Sequence, residues 1–146
     1  MSCAQKKEPL QGETDFQREL NAEYKDASTS PLKEADRKHF NGLEFFKFDS
    51  TYVVPAKFER FPDEKPFEMK TSTERRPVYV KYGELTFNLK GKRYKLNIYQ
   101  NNGLIETEGY EDYLFLPFSD ETNGLESYGG GRYMDARIPD GDTMVI

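Results

Sequence analysis

Residues 85–98 read LTFNLKGKRYKLNI, in which apolar and polar side chains alternate on both sides of a short basic turn. Alternation with a period of two places one set of side chains on a buried face and the other on a solvated face. Gly91 lies where the chain must reverse its direction, and glycine readily adopts the positive φ angles of a tight hairpin. The stretch therefore predicts an antiparallel β-hairpin.

Further strands are predicted on both sides of this hairpin. The chain contains eleven Phe and ten Tyr, and aromatic residues suit a pleated, half-buried surface. Pro55 has no N–H group, so its strand is expected at a sheet edge or at a bulge. The predicted strands comprise residues 44–48, 52–61, 67–70, 77–82, 113–118, 132–138 and 143–146.

Two helices are predicted before the strands. Thr14 and Gln17 have the spacing of a capping box, and apolar residues follow at helical intervals. Ser30 and Pro31 have the residue types of an N-cap and a first helical position, and Asn41-Gly42 is typical of a helix end. The predicted fold class is α+β and mainly β, with two N-terminal helices packed on a curled, mostly antiparallel sheet that forms a barrel or a sandwich.

The predicted organisation is a flexible tether over residues 1–13 and a single β-rich domain over residues 14–146. Residues 2–13 are polar and show no apolar period. The chain ends at Ile146 within an apolar strand, so we expect it to be truncated at the C-terminus.

The charge and the apolar content of the chain argue against two classes of function. The net charge of −5 disfavours nucleic-acid binding, which requires clustered cations. One basic cluster, at Lys90, Lys92, Arg93 and Lys95, is interpreted as a solvated turn that protects a sheet edge. No apolar run approaches the ~20 residues that span a bilayer.

Metal and nucleotide cofactors are not expected either. His39 is the only histidine and Cys3 the only cysteine, so a soft metal site cannot be completed, and His39 is assigned a structural role at a helix end. A dinucleotide fingerprint would need glycine where Met134 stands, and a phosphate loop would need Gly-Lys followed by Ser or Thr.

The position of Cys3 predicts a location. Met1-Ser2-Cys3-Ala4, followed by a polar stretch, is similar to the mature start of a bacterial lipoprotein. Lipidation of Cys3 would place the protein at the cell envelope, with the lipid as its only membrane contact. A free thiol in a cytoplasmic protein is the alternative.

The main candidate site is the segment Tyr128-Gly129-Gly130-Gly131-Arg132-Tyr133. Three glycine amides can approach an anion closely, the guanidinium offers a planar fork of donors, and two phenol rings can stack on a ligand. This combination predicts a cleft for a small anionic ligand. Alternatively, Arg132 pairs with an acid, Glu126 or Asp135, and locks a glycine-rich bulge.

Two other functions remain open. A hydrolase could use a pair of carboxylates around the same loop, drawn from Asp120, Glu126 and Asp135. It would require two of these groups to meet in one pocket, with the pKa of one of them raised. A structural or protein-interaction role would instead show a large uncovered aromatic patch.

The residues around this loop resemble a family. The run from Leu114 to Asp120, then Thr122-Asn123-Gly124, Glu126 and residues 128–133, is similar to the core signature of the bacterial and archaeal domain of unknown function 1684. Ser30-Pro31-Leu32 and Phe40-Asn41-Gly42-Leu43 resemble its opening. The resemblance implies no activity, because the family has none established. It implies a lipoprotein-like N-terminus and a pattern that continues beyond Ile146, into an Asp-Phe-Asn strand and a Pro-rich segment with cysteines.

Overall fold

The computed structural model describes residues 12–146. The chain divides into two compact units, Met1–Ser50 and Thr51–Ile146. The first contains both helices, and the second contains the whole sheet. This composition confirms the predicted α+β, mainly β class. The predicted tether and single domain remain predictions, and most of the tether lies outside the described residues.

The first unit begins with the predicted helix. Helix α1 (Asp15–Lys25) has a complete capping box, in which the Thr14 hydroxyl accepts the N–H of Gln17 and the Gln17 side chain accepts the N–H of Thr14. These bonds satisfy backbone donors that a helix start leaves without partners, which explains why the local sequence predicts this boundary.

The second helix is shorter than predicted. Helix α2 (Glu34–Lys38) follows Lys33, whose side chain makes no capping bond, so the predicted start at Ser30-Pro31 is wrong. The Ser30 hydroxyl instead accepts the N–H of Leu32 in a local turn. His39 forms the C-cap, in agreement with a structural role at a helix end. The strand predicted at residues 44–48 is absent, and no strand lies between residues 12 and 54.

The second unit is one antiparallel sheet, curled into an open half-barrel in the order β6-β5-β4-β3-β1-β7, with β2 paired to β3 beside β1. A short 3-10 helix, Ser50–Tyr52, precedes it in the chain, and another, Leu104–Glu106, follows β4. The strands are β1 (Pro55–Arg60), β2 (Phe67–Glu68), β3 (Val78–Leu89), β4 (Lys92–Asn101), β5 (Tyr113–Phe118), β6 (Arg132–Arg137) and β7 (Thr143–Val145).

The predicted hairpin forms the middle of this sheet. Leu89 pairs with Lys92, so only Lys90 and Gly91 form the turn between β3 and β4. Their φ angles of 50° and 79° are both positive, as in the tight turns that match the twist of paired strands. A bulge between Lys81 and Gly83 interrupts the pairing once.

Pro55 is tolerated in the sheet because it lies at the first position of β1. β1 lies between β3 and β7, so it is not an edge strand. Its pairing with β3 begins only at Lys57, while the neighbouring Val54 exchanges both backbone bonds with Ile146. Pro55 is therefore the first residue of the strand, where its missing N–H costs no ladder bond.

The core lies on one face of the sheet. Alternate residues of the central strands are fully buried there, and their neighbours point to the opposite face, which we call the outer face. The buried apolar side chains are Ala56, Leu85, Ile98, Leu114 and Leu116.

Candidate functional site

The glycine-rich loop between β5 and β6 is held by its own hydrogen bonds. The carbonyl of Thr122 accepts the N–H groups of Leu125, Glu126 and Ser127. The hydroxyls of Thr122 and Ser127 lie 2.7 Å apart in a hydrogen bond. Residues 119–131 are therefore a compact turn rather than an open lid.

Local geometry accounts for the last glycine of the run. Gly131 has a φ of +97° and donates its N–H to the carbonyl of Tyr128 over 3.1 Å. A Cβ atom on Gly131 would lie 2.9 Å from the carbonyl oxygen of Phe118. Gly129 differs from Gly131, since a Cβ there would lie 3.7 Å from the Gly124 Cα, which is an ordinary van der Waals contact. One of the three amides predicted to bind an anion is thus used within the chain.

Arg132 contacts an acid, a hydroxyl and a ring. Its Nη2 donates to the carboxylate of Asp120 and lies 3.5 Å from the hydroxyl of Thr122. Its guanidinium carbon is 5.0 Å from the centre of the Phe118 ring. Arg132 therefore forms an ion pair with Asp120, which was predicted only as a catalytic candidate.

Asp120 is held in its charged form. The hydrogen bond from the Thr122 hydroxyl is the largest effect and lowers the pKa of Asp120 below its ordinary value. Burial, the second effect, opposes it, and the Thr122 backbone N–H and the Arg132 charge lower the pKa further. Its own backbone N–H donates to the side-chain oxygen of Asn123 over 3.1 Å. A carboxylate with a lowered pKa is a poor general acid but a good structural anchor.

Replacing Asp120 by asparagine is expected to lower the free energy of unfolding at neutral pH. Because the pKa of Asp120 is lower in the folded protein than in the unfolded chain, its contribution is present above the ordinary carboxyl pKa. That contribution is lost as the pH falls through the folded value. Urea unfolding at neutral and acid pH measures the effect.

Glu121→Gln is the matched control, because Glu121 is an exposed carboxylate of the same loop. A wild-type advantage over Asp120→Asn that persisted unchanged at acid pH would contradict the structural role of the charge.

Two of the other predicted site residues, Tyr133 and Asp135, lie on the outer face. Register pairs Phe118 with Arg132 and Phe115 with Asp135, so Arg132 shares the core face with Leu114 and Leu116. Tyr133 and Asp135 point the opposite way. Tyr133 packs on the Phe115 ring at 5.3 Å, and the structure therefore separates it from Arg132.

The three predicted carboxylates do not all come together. Asp135 accepts the phenolic hydrogen of Tyr113 over 2.6 Å on the outer face. Burial, then this bond to the Asp135 carboxylate, raises the pKa of Tyr113. Asp120 lies with Arg132 on the other face, and Glu126 is exposed in the loop between β5 and β6. A catalytic pair of Asp120 and Asp135 is thus not assembled.

Other predicted features fall elsewhere. Cys3 lies outside the described residues, so its lipidation remains a prediction. Residues 12–146 contain no cluster of three or more His, Cys, Asp or Glu side chains able to hold a metal ion. Over the same residues, every helix is too short or too polar to cross a bilayer.

The structure adds a groove that the sequence analysis missed. It has a volume of about 590 Å³ and lies at the end of the sheet where β3 begins and β4 ends. We call it the arginine groove. Its lining residues are Arg75, Arg76, Pro77, Val78, Asn101, Asn102 and Gly103.

Backbone pairing assembles the arginine groove. Tyr79 pairs with Asn101, which places the segment before β3 beside the segment after β4. The N–H of Asn102 donates to the carbonyl of Val78 over 3.1 Å. The Thr71 hydroxyl donates to the carbonyl of Arg75 over 2.7 Å, so the loop that carries the arginines is also held.

The groove presents hydrogen-bond donors. Within residues 12–146, neither Arg75 nor Arg76 forms an ion pair. The side-chain oxygen of Asn101, a buried residue, accepts the N–H groups of Gly103 and Leu104. The amide nitrogen of Asn101, which is a donor, makes no hydrogen bond within residues 12–146.

The fold and these features define a class: an α+β chain with a curled, open antiparallel sheet and a self-bonded glycine-rich turn between β5 and β6. The chain belongs to the family described as "Protein of unknown function (DUF1684)", whose model matches residues 38–146. The predicted resemblance is confirmed.

Among solved structures, the chain is similar to an uncharacterized protein of Haloarcula marismortui, determined by solution NMR. The two are 28% identical with a TM-score of 0.65, and the match covers 90% of this chain and 70% of the other. No curated protein matches the chain significantly.

Proposed function

We propose that the chain is a non-catalytic binding module that holds a small anionic ligand in the arginine groove. The observation that carries this proposal is that the groove is lined by Arg75 and Arg76, neither in an ion pair within residues 12–146, and by the buried residue Asn101. Guanidinium groups bind carboxylate and phosphate oxygens through paired, charge-assisted hydrogen bonds.

Competition favours this groove over Arg132. An anion at Arg132 would have to share the guanidinium with Asp120, whose lowered pKa keeps it negative across the physiological range. At the arginine groove, Glu74 is adjacent in sequence and Glu68 pairs with Val78, but neither acid forms an ion pair within residues 12–146. An incoming anion therefore does not have to displace a carboxylate from Arg75 or Arg76.

Titration with inorganic phosphate tests the proposal, followed by backbone amide NMR and by calorimetry. The largest chemical-shift changes are expected at Asn102, Gly103 and Leu104. The double variant Arg75→Gln, Arg76→Gln should weaken phosphate binding at least about tenfold, since each charge-assisted bond contributes roughly 1.5–3 kcal/mol.

Two further variants locate the site. Arg37→Gln with Lys38→Gln removes the same charge from α2 and should leave phosphate binding unchanged. If shifts instead concentrated in residues 119–133, and Arg132→Gln abolished binding, the ligand would occupy the site predicted from the glycine run. Absence of binding at either place, tested also with succinate, would refute the anionic-ligand proposal.

A further inference from the structure

The turn of the β3–β4 hairpin carries the densest positive charge in the sheet unit. Lys90, Lys92, Arg93 and Lys95 lie within six positions, and all four are exposed. Lys95 lies 3.5 Å from Glu84 in an ion pair, while Lys92 and Arg93 form none within residues 12–146. The chain as a whole carries a net charge of −5, so this cluster of four cations is a local exception in an acidic chain.

Exposed apolar side chains lie at the same end. Antiparallel pairing brings the hairpin turn, the start of β1 and the end of β7 together, since β3 ends where β1 begins and Val145 pairs with Pro55. Val53, Val145 and Tyr94 are 49%, 69% and 43% exposed there. Single exposed apolar residues are ordinary, but here several accompany a cationic cluster.

Tyr52 joins the two groups. Its hydroxyl accepts a hydrogen bond from the Lys90 ammonium over 2.8 Å, and that ammonium lies 4.6 Å from the centre of the ring. The side chain is 54% exposed. Tyrosine favours the boundary between water and lipid, because its ring is apolar and its hydroxyl is polar.

We propose that this end of the sheet docks on an anionic lipid surface. We call it the basic tip and define it by Tyr52, Val53, Lys90, Lys92, Arg93, Lys95 and Val145. Clustered cations are attracted to negatively charged headgroups, and exposed aromatic and aliphatic side chains insert at the acyl boundary. The proposal adds a second contact surface to the anion site and does not depend on it.

Charge and apolar contact together select a membrane over other polyanions. A nucleic acid would bind the same cations through its phosphates. The exposed side chains of Val53 and Val145 have no hydrogen-bond donor for a phosphate, so they would add nothing to such a complex. A lipid surface uses both groups, because the headgroups meet the cations while the acyl boundary receives the apolar side chains.

Co-sedimentation with lipid vesicles tests the proposal on the full chain. Binding is expected to vesicles that mix phosphatidylserine with phosphatidylcholine, and to fall steeply with added salt. Vesicles of phosphatidylcholine alone should bind weakly. The variant Lys92→Gln, Arg93→Gln should lose about 25-fold in partitioning, since each basic residue near such a surface contributes about fivefold.

Two variants complete the experiment. Val53→Ser should weaken binding to anionic vesicles by a factor that persists at high salt, as an apolar contact requires. Arg37→Gln with Lys38→Gln removes the same charge elsewhere and should leave binding unchanged. Thermal unfolding confirms that each variant is folded.

Several results would overturn the proposal. One is equal binding to neutral and anionic vesicles, and another is an equal loss in the α2 control. A third is binding of an RNA homopolymer at the basic tip without vesicle binding, which would make the partner a nucleic acid.

Discussion

Replacing Gly83 by alanine is expected to lower the free energy of unfolding by about 3 kcal/mol, the upper part of the range for an overpacked core. A Cβ at this position would lie 2.3 Å from the carbonyl oxygen of Glu59 and 2.8 Å from a ring carbon of Phe58. Both residues belong to β1, so β1 would have to move away from β3. Urea denaturation, followed by circular dichroism, measures the loss.

Gly141→Ala is the control for this substitution. Gly141 lies in the turn before β7, and its φ is not positive. A Cβ atom added there would meet no other atom within 4 Å. Alanine should therefore be neutral or slightly stabilising, because it restricts the unfolded chain. If the two variants lost equal stability, the β1–β3 register that places Glu59 opposite Glu84 would be wrong.

Local sequence signals predicted much of this fold. The capping box at Thr14 and Gln17 depends on residues three positions apart, and the turn at Lys90-Gly91 depends on neighbours. The burial of alternate residues in β4 and β5 follows from the strand period. Each of these features depends on interactions between residues close together in the sequence, so it can be predicted without knowing the tertiary structure.

Features decided by pairing between distant segments were harder to predict. The arginine groove exists because Tyr79 pairs with Asn101, which brings Arg75 and Arg76 beside the end of β4. In the sequence these segments read as two unrelated polar turns. The signal that could have found the groove was the combination of two adjacent arginines before one hairpin strand and paired asparagines after the other.

The strand period alone predicts that two residues of the candidate site, Arg132 and Tyr133, lie on opposite faces of the sheet. Arg132 was predicted to begin a strand, and neighbours in a strand point to opposite faces. That rule already separates Arg132 from Tyr133, as the structure does.

The start of α2 was harder to predict. The Ser30 hydroxyl accepts the N–H of Leu32 in a local turn, and this bond competes with the helix start that the residue types of Ser30-Pro31 favour.

The glycine run has a structural role that one substitution can isolate. Gly131→Ala is expected to cost about 2–3 kcal/mol of unfolding free energy, because it combines a strained positive φ with steric overlap. At a φ of +97° the new Cβ would lie 2.9 Å from the Phe118 carbonyl oxygen, which belongs to the end of β5. Since β5 continues into the loop that positions Asp120, the ion pair with Arg132 should weaken as well. Urea denaturation gives the loss.

Gly129→Ala provides the comparison within the same run. Its Cβ would meet nothing nearer than 3.7 Å, and its φ is not positive, so the cost should remain below about 1 kcal/mol. A large loss of stability in Gly131→Ala alone would mean that glycine is required at this position by the backbone turn that leads into β6. Equal and small losses in both variants, with a folded protein, would contradict that explanation. That result would instead support the hypothesis that the amides of Gly129, Gly130 and Gly131 bind an anionic ligand.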